Sequence, residues 1–358
     1  MLITLLSPES ESEISLQSPS QKFFLENIEQ FVQDTNWRTR VPASKAEMSA
    51  PQPVRFSWET DDGEDAMFCL SDTEDFSNIL YEGKGVKHLG TYHLELYNLE
   101  IGKKYYWCVG NSRRQSFKTK RDLPRFIYAE GARNIRDLGG YDTIYGRRVK
   151  QGMIYRGSEL NGSTNITENG VRVLREDLGI VYDLDLRMVN EGGCVYCSPL
   201  GEDIGYTRMH THSYVDYLKN QAHSAFLMRF FATNDAYPLY LHCASGDDVS
   251  SLECEYTHFY NDHPCYGGYA RSATAAMMLL AVLGVSDEDI LRDFEATSLA
   301  EQIPVSRHSQ NDRERGFFDT ILGHQYGNTF HESICSYLRM CGITDDMMDA
   351  FREKMLEK

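Results

Sequence analysis

The sequence predicts two domains in series: an all-β sandwich, then an α/β domain with a mainly parallel central sheet flanked by helices. Three observations lead there. At 358 residues the chain exceeds one average domain. From about residue 41 to 121, short alternating runs are parted by turn residues every 8 to 12 or so positions, the signature of a sandwich. Beyond about residue 123, helical periodicity alternates with short apolar runs, as in an α/β layer structure.

In chain order, residues 1–20 are rich in Ser, Glu and Pro and are expected to be a mobile tail. "SQKFFLENIEQFVQDT" follows, with Ser20 as N-cap and Phe23, Phe24, Ile28, Phe31 and Val32 on one helical face. Residues 1–40 are thus read as a tail with a short helix. The strands of the sandwich, residues 41–122, are "PVRFSWET", "DAMFCLSD", "YHLELYNL", "KKYYWCVG" and "RQSFKTK", with "DDGED", "GKG", "LEIGK" and "GNSR" as punctuation. "YNLEIGKKYYWCVG" resembles the E–F corner and F strand of a fibronectin type III domain, with Leu99, Gly102, Tyr105 and Trp107 in the expected order. "KRDLPRF" reads as the linker. In residues 123–358, "GVRVLREDLG" is a helix before the strand "IVYDLDLR", and "YVDYLKNQAHSAFLMRFFATND" a helix before the strand "YPLYLHC". "RSATAAMMLLAVLGV" is a buried helix stopped by Gly284. "SDEDILRDFEATS" begins with a capping Ser286 and Asp289.

Composition narrows the function. Hydrophobic residues make up 41% and charged residues 25%, the balance of a folded globular chain. The net charge of −17, without a long basic run, argues against nucleic acid as partner. No stretch reaches the 18 to 20 or so apolar residues that span a membrane. "MLITLLSPESESE" lacks the basic start of a secretion signal. Nine scattered cysteines, an odd count, predict reduced thiols in a cytoplasmic protein.

The chemistry gathers in residues 242–274, "HCASGDDVSSLECEYTHFYNDHPCYGGYARSAT". A strand ending in His242-Cys243, a glycine turn, and Arg271-Ser272 opening an apolar helix make an anion site. Amides of the turn and of the helix start cradle an anion. Arg271 adds a fork that fits two phosphate oxygens. The same positive field favours a thiolate at Cys243, a nucleophile toward a phosphate monoester.

These residues resemble the loop His-Cys-x-x-Gly-x-Asp-Arg-Thr/Ser of the cysteine-dependent tyrosine/serine protein phosphatases found widely in bacteria. His242, Cys243, Gly246, Asp248, Arg271 and Ser272 supply the loop residues. "RNIRDLGGY" with "RRVKQGMIYRGSEL" after it, "DLR" at Asp185 to Arg187, and "FEATS" at Phe294 to Ser298 fit in order. The resemblance spans nearly all of the C-terminal 230 or so residues. It implies Cys243 as nucleophile, Arg271 with Ala244, Ser245, Gly246 and Asp247 as the phosphate cradle, and Ser272 as the hydroxyl that helps the thiolate leave. Asp248 is the implied general acid, with Asp185 and Asp216 as alternatives. No cofactor or metal is implied. The implied substrate is a phosphorylated protein, phosphotyrosine first, or a small phosphomonoester; phosphoserine and phosphoinositides are alternatives.

One departure stands out. Family loops hold five residues between Cys and Arg; here 27 lie between Cys243 and Arg271. Removing residues 249–270 restores "HCASGDDRSAT" in register. Closing an excursion of that size costs only a few kcal/mol. Yet it carries Glu253, Glu255 and Asp262 and no Lys or Arg, and carboxylates beside an anion site weaken binding unless they point away. Alternatively, Cys265 lies at the family spacing before Arg271 and is the nucleophile. Cys254, His258, His263 and Cys265 also offer soft zinc ligands, though in no usual finger spacing. His210 and His212 read as alternate side chains. A non-catalytic phosphate- or protein-binding module is the remaining class.

Overall fold

The computed structural model describes residues 2–28, 48–61, 66–162, 164–187, 196–209, 221–243, 271–300 and 327–358. The chain divides into two compact units, Met1–Ser18 with Pro51–Arg125 and Pro19–Ala50 with Phe126–Lys358.

The first unit contains β1 (Ile3–Ser7), β2 (Ser12–Ile14), β3 (Val54–Thr60), β4 (Met67–Ser71), β5 (Ile79–Lys84), β6 (Val86–His88), β7 (Thr91–Leu96), β8 (Lys104–Val109) and β9 (Gln115–Thr119). They build two sheets, ordered β1-β3-β7-β6 and β2-β9-β8-β4-β5. Alternation places Val54, Phe56 and Trp58 of β3 inward and Arg55 outward. Phe56 meets Phe68 edge-on at 4.6 Å and Trp107 at 5.2 Å, so residues of both sheets share one core. Gly102 turns the chain at φ +71°, and the Tyr105 hydroxyl accepts the Glu100 N–H at 2.9 Å.

Two expectations are corrected here. Residues 3–14 are not a tail: β1 pairs antiparallel with β3 and β2 pairs parallel with β9. Their Ser- and Glu-rich composition misleads because both lie at sheet edges, where alternate side chains face water. Nor is "GKG" only punctuation, because the strands expected from the sequence do not include the two that it parts. It closes β5 and leads directly into β6.

The second unit is a six-stranded sheet with helices. Its strands are β10 (Arg125–Phe126), β11 (Arg136–Asp137), β12 (Ile154–Gly157), β13 (Tyr182–Asp185), β14 (Gly205–Arg208) and β15 (Leu239–His242), in the order β10-β11-β12-β15-β13-β14. β12, β15, β13 and β14 pair in parallel, while β11 pairs antiparallel with β12. Its helices are α1 (Pro19–Glu26), α2 (Glu168–Arg172), α3 (Gln221–Thr233), α4 (Arg271–Val282), α5 (Asp287–Glu295), α6 (Phe330–Met340) and α7 (Asp345–Met355). Every residue of α4 is buried, and Gly284 at φ +76° ends the run after it. The Ser286 hydroxyl accepts the Asp289 N–H at 3.2 Å and starts α5. α2 passes straight into a π-helical turn, Val173–Asp177. Among the described residues no helix is long and apolar enough to cross a membrane.

Helix α1 overturns the expected start of the second domain near residue 123. It begins at Pro19, whose fixed φ suits a first helical position, rather than at a capping Ser20. Phe24 is buried with Phe126, Ala296 and Leu299, so α1 belongs to the second unit. Gln21 Nε2 donates to the carbonyls of Met48 and Ala50 at 3.1 and 3.0 Å and holds the returning chain. The sequence hides this because the partners of Phe24 lie more than a hundred residues away.

Phe24→Ala should therefore destabilise the full chain by about 3 kcal/mol, the usual cost of emptying a buried aromatic site. Phe23→Ala, on the 37%-exposed neighbour, should cost far less. Urea denaturation of the two variants checks this; equal costs would place α1 outside the core.

Candidate active site

β15 is the innermost strand of the parallel group, with β12 on one side and β13 on the other. All four of its residues are buried, and it delivers Cys243 at its carboxyl end. Ligand sites of open parallel sheets form at this end of the strands. α4 opens beside it. The Cys243 Sγ lies 3.4 Å from the Ser272 Oγ, although 29 positions separate them. Arg271 Nη1 donates to the Leu186 carbonyl at 3.2 Å, which fixes the first residue of α4 against the end of β13. A thiol, a hydroxyl and a guanidinium-bearing helix start thus converge on one strand end.

Two buried charge clusters flank that strand. On the β13 side, His242 Nε2 stands 3.0 Å from Asp183 Oδ1, and His242 Nδ1 is 4.0 Å from Asp185 Oδ1. Neither ring nitrogen makes an aligned hydrogen bond among the described residues, so the attraction to Asp183 is one of charge rather than of geometry. Burial pulls the imidazole pKa down, but Asp183 and Asp185 outweigh it and hold it above the ordinary value. Asp185 accepts from Arg187 Nε at 3.0 Å, Arg187 Nη2 at 2.8 Å, the Arg187 backbone N–H at 2.8 Å and the Tyr206 hydroxyl at 2.8 Å. Burial raises this carboxyl, yet His242 and Arg187 hold it well below the usual carboxylate range. Arg187 also donates to Glu159 at 2.9 Å and to the Asn161 carbonyl at 2.6 Å.

On the β12 side, Asp293 of α5 bridges two fully buried arginines. Arg136 Nε donates to its Oδ1 at 2.9 Å and Arg156 Nη1 to its Oδ2 at 2.8 Å. Arg136 further donates to Thr297 Oγ1 at 2.9 Å and to the Asn134 side chain. Burial and the neighbouring Arg136 push Arg156 down to about 10, while Asp293 and Cys243 act in the opposite sense. Burial alone would raise Asp293; the two guanidiniums hold it below its ordinary value.

Comparison with protein families returns one match, a model described as the tyrosine phosphatase family, over residues 127–249 and 263–357. Together these cover more than half of the chain. The chain belongs to the tyrosine phosphatase family. Curated proteins supply no match. The residues that the family model passes over, 250–262, fall within the long stretch between Asp248 and Arg271. Both charge clusters lie inside the matched residues, so they are part of the phosphatase unit itself.

Of the residues that the sequence singles out, Cys243, Ser272, Arg271 and Asp185 lie together around the end of β15. Ala244, Ser245, Gly246, Asp247, Asp248, Asp216 and Cys265 lie outside the described residues, as do Cys254, His258, His263, His210 and His212. Sequence reasoning missed Asp183, Glu159, Arg136, Arg156, Asp293 and Thr297 as charged or polar supports. The only signal was indirect: "RNIRDLGGY", "YRGSEL" and "FEATS" were legible as motifs, and the structure joins Arg136 and Arg156 of those motifs through Asp293, and Arg136 directly to Thr297.

His242 gives a pH dependence with a definite sign. A histidine whose folded pKa is raised contributes stability that is complete below its unfolded value of about 6.5 and is lost as pH rises through the folded value. The destabilisation caused by Asp183→Asn should accordingly be largest near pH 5.5 or so and shrink toward alkaline pH. Urea titrations of both chains across that range measure it; a penalty growing with pH would refute the charged pairing.

Proposed function

We propose that the chain hydrolyses phosphomonoesters through a cysteinyl-phosphate on Cys243, with protein phosphotyrosine as the substrate. The observation that supports this most is the 3.4 Å approach of Cys243 Sγ to Ser272 Oγ at the head of a buried helix, despite the 27 residues between Cys243 and Arg271. The thiolate attacks phosphorus, and the ester oxygen leaves with a proton from Asp248. Water then attacks phosphorus, the phosphorus–sulfur bond breaks, and Ser272 donates a hydrogen bond to the departing sulfur. Arg271 and the amides of residues 244–247 hold the phosphoryl oxygens in both steps. His242, directly before Cys243 and held above its ordinary value by Asp183 and Asp185, favours the thiolate whenever it carries its proton.

Asp185 is assigned the anchoring of Arg187 rather than proton donation, since its oxygens are taken up by Arg187 and Tyr206 and it stays ionised. Asp216 remains the second candidate acid. Residues 249–270 are read as an insertion within a single phosphate loop; the family match passes over 250–262 of them and resumes at residue 263. The first unit is read as a fibronectin type III-like sandwich, supported by the Tyr105 hydroxyl on the Glu100 N–H, the corner bond of such folds. Six free cysteines among the described residues fit a reducing, cytoplasmic setting.

A second reading is a disabled phosphatase that binds phosphorylated protein. Glu253, Glu255 and Asp262 favour it, because carboxylates near an anion site weaken binding. Hydrolysis of an aryl phosphate, with vanadate as inhibitor, separates the two. Cys243→Ser should abolish turnover, Cys265→Ser should be mild, and deletion of residues 249–270 should leave at least the original activity. Activity lost in Cys265→Ser and kept in Cys243→Ser would transfer the nucleophile to Cys265; activity in the deletion alone would establish the disabled form. Asp248→Asn should lower kcat roughly 10²-fold on an alkyl phosphate and less on an aryl one. Equal losses on both esters would make Asp248 structural.

A further inference from the structure

Away from the phosphatase unit, two thiols face each other on the first unit's five-stranded sheet. Cys69 of β4 stands directly opposite Cys108 of β8. Both are free and partly exposed, on the outward side of strands whose alternate residues, Phe68 and Leu70, Trp107 and Val109, fill the core. The Gly110 N–H donates to the Met67 carbonyl at 2.8 Å, which fixes the register. Two positions along, Cys69 and Cys108 therefore occupy a hydrogen-bonded antiparallel pair. Such pairs hold their Cα atoms about 5.5 Å apart, inside the roughly 4.4–6.8 Å that disulfides span. Their Cβ atoms, about 4.5–5.5 Å apart, must draw in slightly to reach disulfide geometry. A bond formed there is strained and readily reduced.

Their surroundings divide the labour. The Cys69 Sγ donates to Glu82 Oε1 of β5 at 3.4 Å, and Glu82 is directly opposite Cys69 on that side. Burial and then Glu82 push the Cys69 thiol up to about 11. Burial raises Cys108 as well, against the opposing pull of Arg114; with the Cys69 proton directed at Glu82, Cys108 is assigned the first attack.

We propose that Cys69 and Cys108 are a redox-responsive dithiol that closes reversibly into a cross-strand disulfide, with low-molecular-weight disulfides as the oxidant. The Cys108 thiolate attacks one sulfur of the oxidant RSSR, forms a mixed disulfide and releases RS⁻. Cys69 passes its proton toward Glu82 and attacks the Cys108 sulfur, and a second RS⁻ departs. Two protein thiols lose two electrons, RSSR gains them, and the two released protons convert both RS⁻ to RSH.

The test exposes the full, folded chain to oxidised glutathione and maps its peptides without reduction. A peptide pair joined through Cys69 and Cys108, two hydrogens lighter and released by dithiothreitol, is the expected product. Cys69→Ser should instead leave a stable glutathione adduct on Cys108. Glu82→Gln should slow ring closure by at least about tenfold while the mixed disulfide accumulates. Separate adducts on both cysteines of the intact chain, or a link that forms only after denaturation, would overturn the proposal. Unchanged closure in Glu82→Gln would overturn the role given to Glu82. The mapping of the unaltered chain decides the main point even where a variant does not fold.

Discussion

The phosphatase unit depends on one shared carboxylate. Asp293 holds Arg136 and Arg156 together, and through them α5, β11 and β12. Three charges sit where almost no water reaches. Taking one away would strand the others in low dielectric, at a cost of about 3–5 kcal/mol. Such a cluster therefore tolerates few arrangements of the elements that carry it. Arg156 precedes Gly157, which pairs with His242, so the register that places Asp293's partner also places the strand end bearing Cys243. Two guanidiniums on one carboxylate leave this side of the strand positive, in the sense that favours an anionic sulfur.

The opposite flank is built differently. Asp183, Asp185 and Glu159 are answered by His242, Arg187 and, at 3.8 Å from Asp185, Arg208, while the Ser198 and Tyr206 hydroxyls donate to Asp183 Oδ2 and Asp185 Oδ2. Here the acids outnumber the permanently charged bases, and Asp183 and Asp185 hold the His242 imidazole above its ordinary value. The strand end thus lies between a permanently cationic cluster and one whose charge follows pH. Position along β13 matters: alternation would send Asp183 and Leu184 to opposite faces, and Asp183 and Asp185 to the same one. That shared face is the one His242 meets.

Much of this was legible in the residues. The apolar run of α4, the cap at Ser286, the buried strand before Cys243 and the residues Cys243, Arg271 and Ser272 announce themselves through periodicity and local chemistry. What stayed hidden depends on distance. Arg136 and Asp293 are 157 positions apart and Arg156 and Asp293 137, and nothing in a local pattern marks two charges as partners. β1 and β2 were obscured because short edge strands have a half-wet composition that also suits a tail. Propensity named α1 a helix, but only tertiary contact with Ala296 and Leu299 assigns it to the second unit.

That assignment makes the chain cross between its two units three times, after residues 18, 50 and 125. The order of synthesis then matters. All strands of the sandwich have emerged by about residue 120, so it can close early. Phe24 must wait for Ala296, 272 positions later, an interval of roughly 15–50 s at ribosomal speeds of about 5–20 residues per second. Through that interval Met48 and Phe126 are present to meet α1, but the Ala296 and Leu299 that complete its cluster are not. The first described helix of the phosphatase unit is thus completed by residues from one of its later segments.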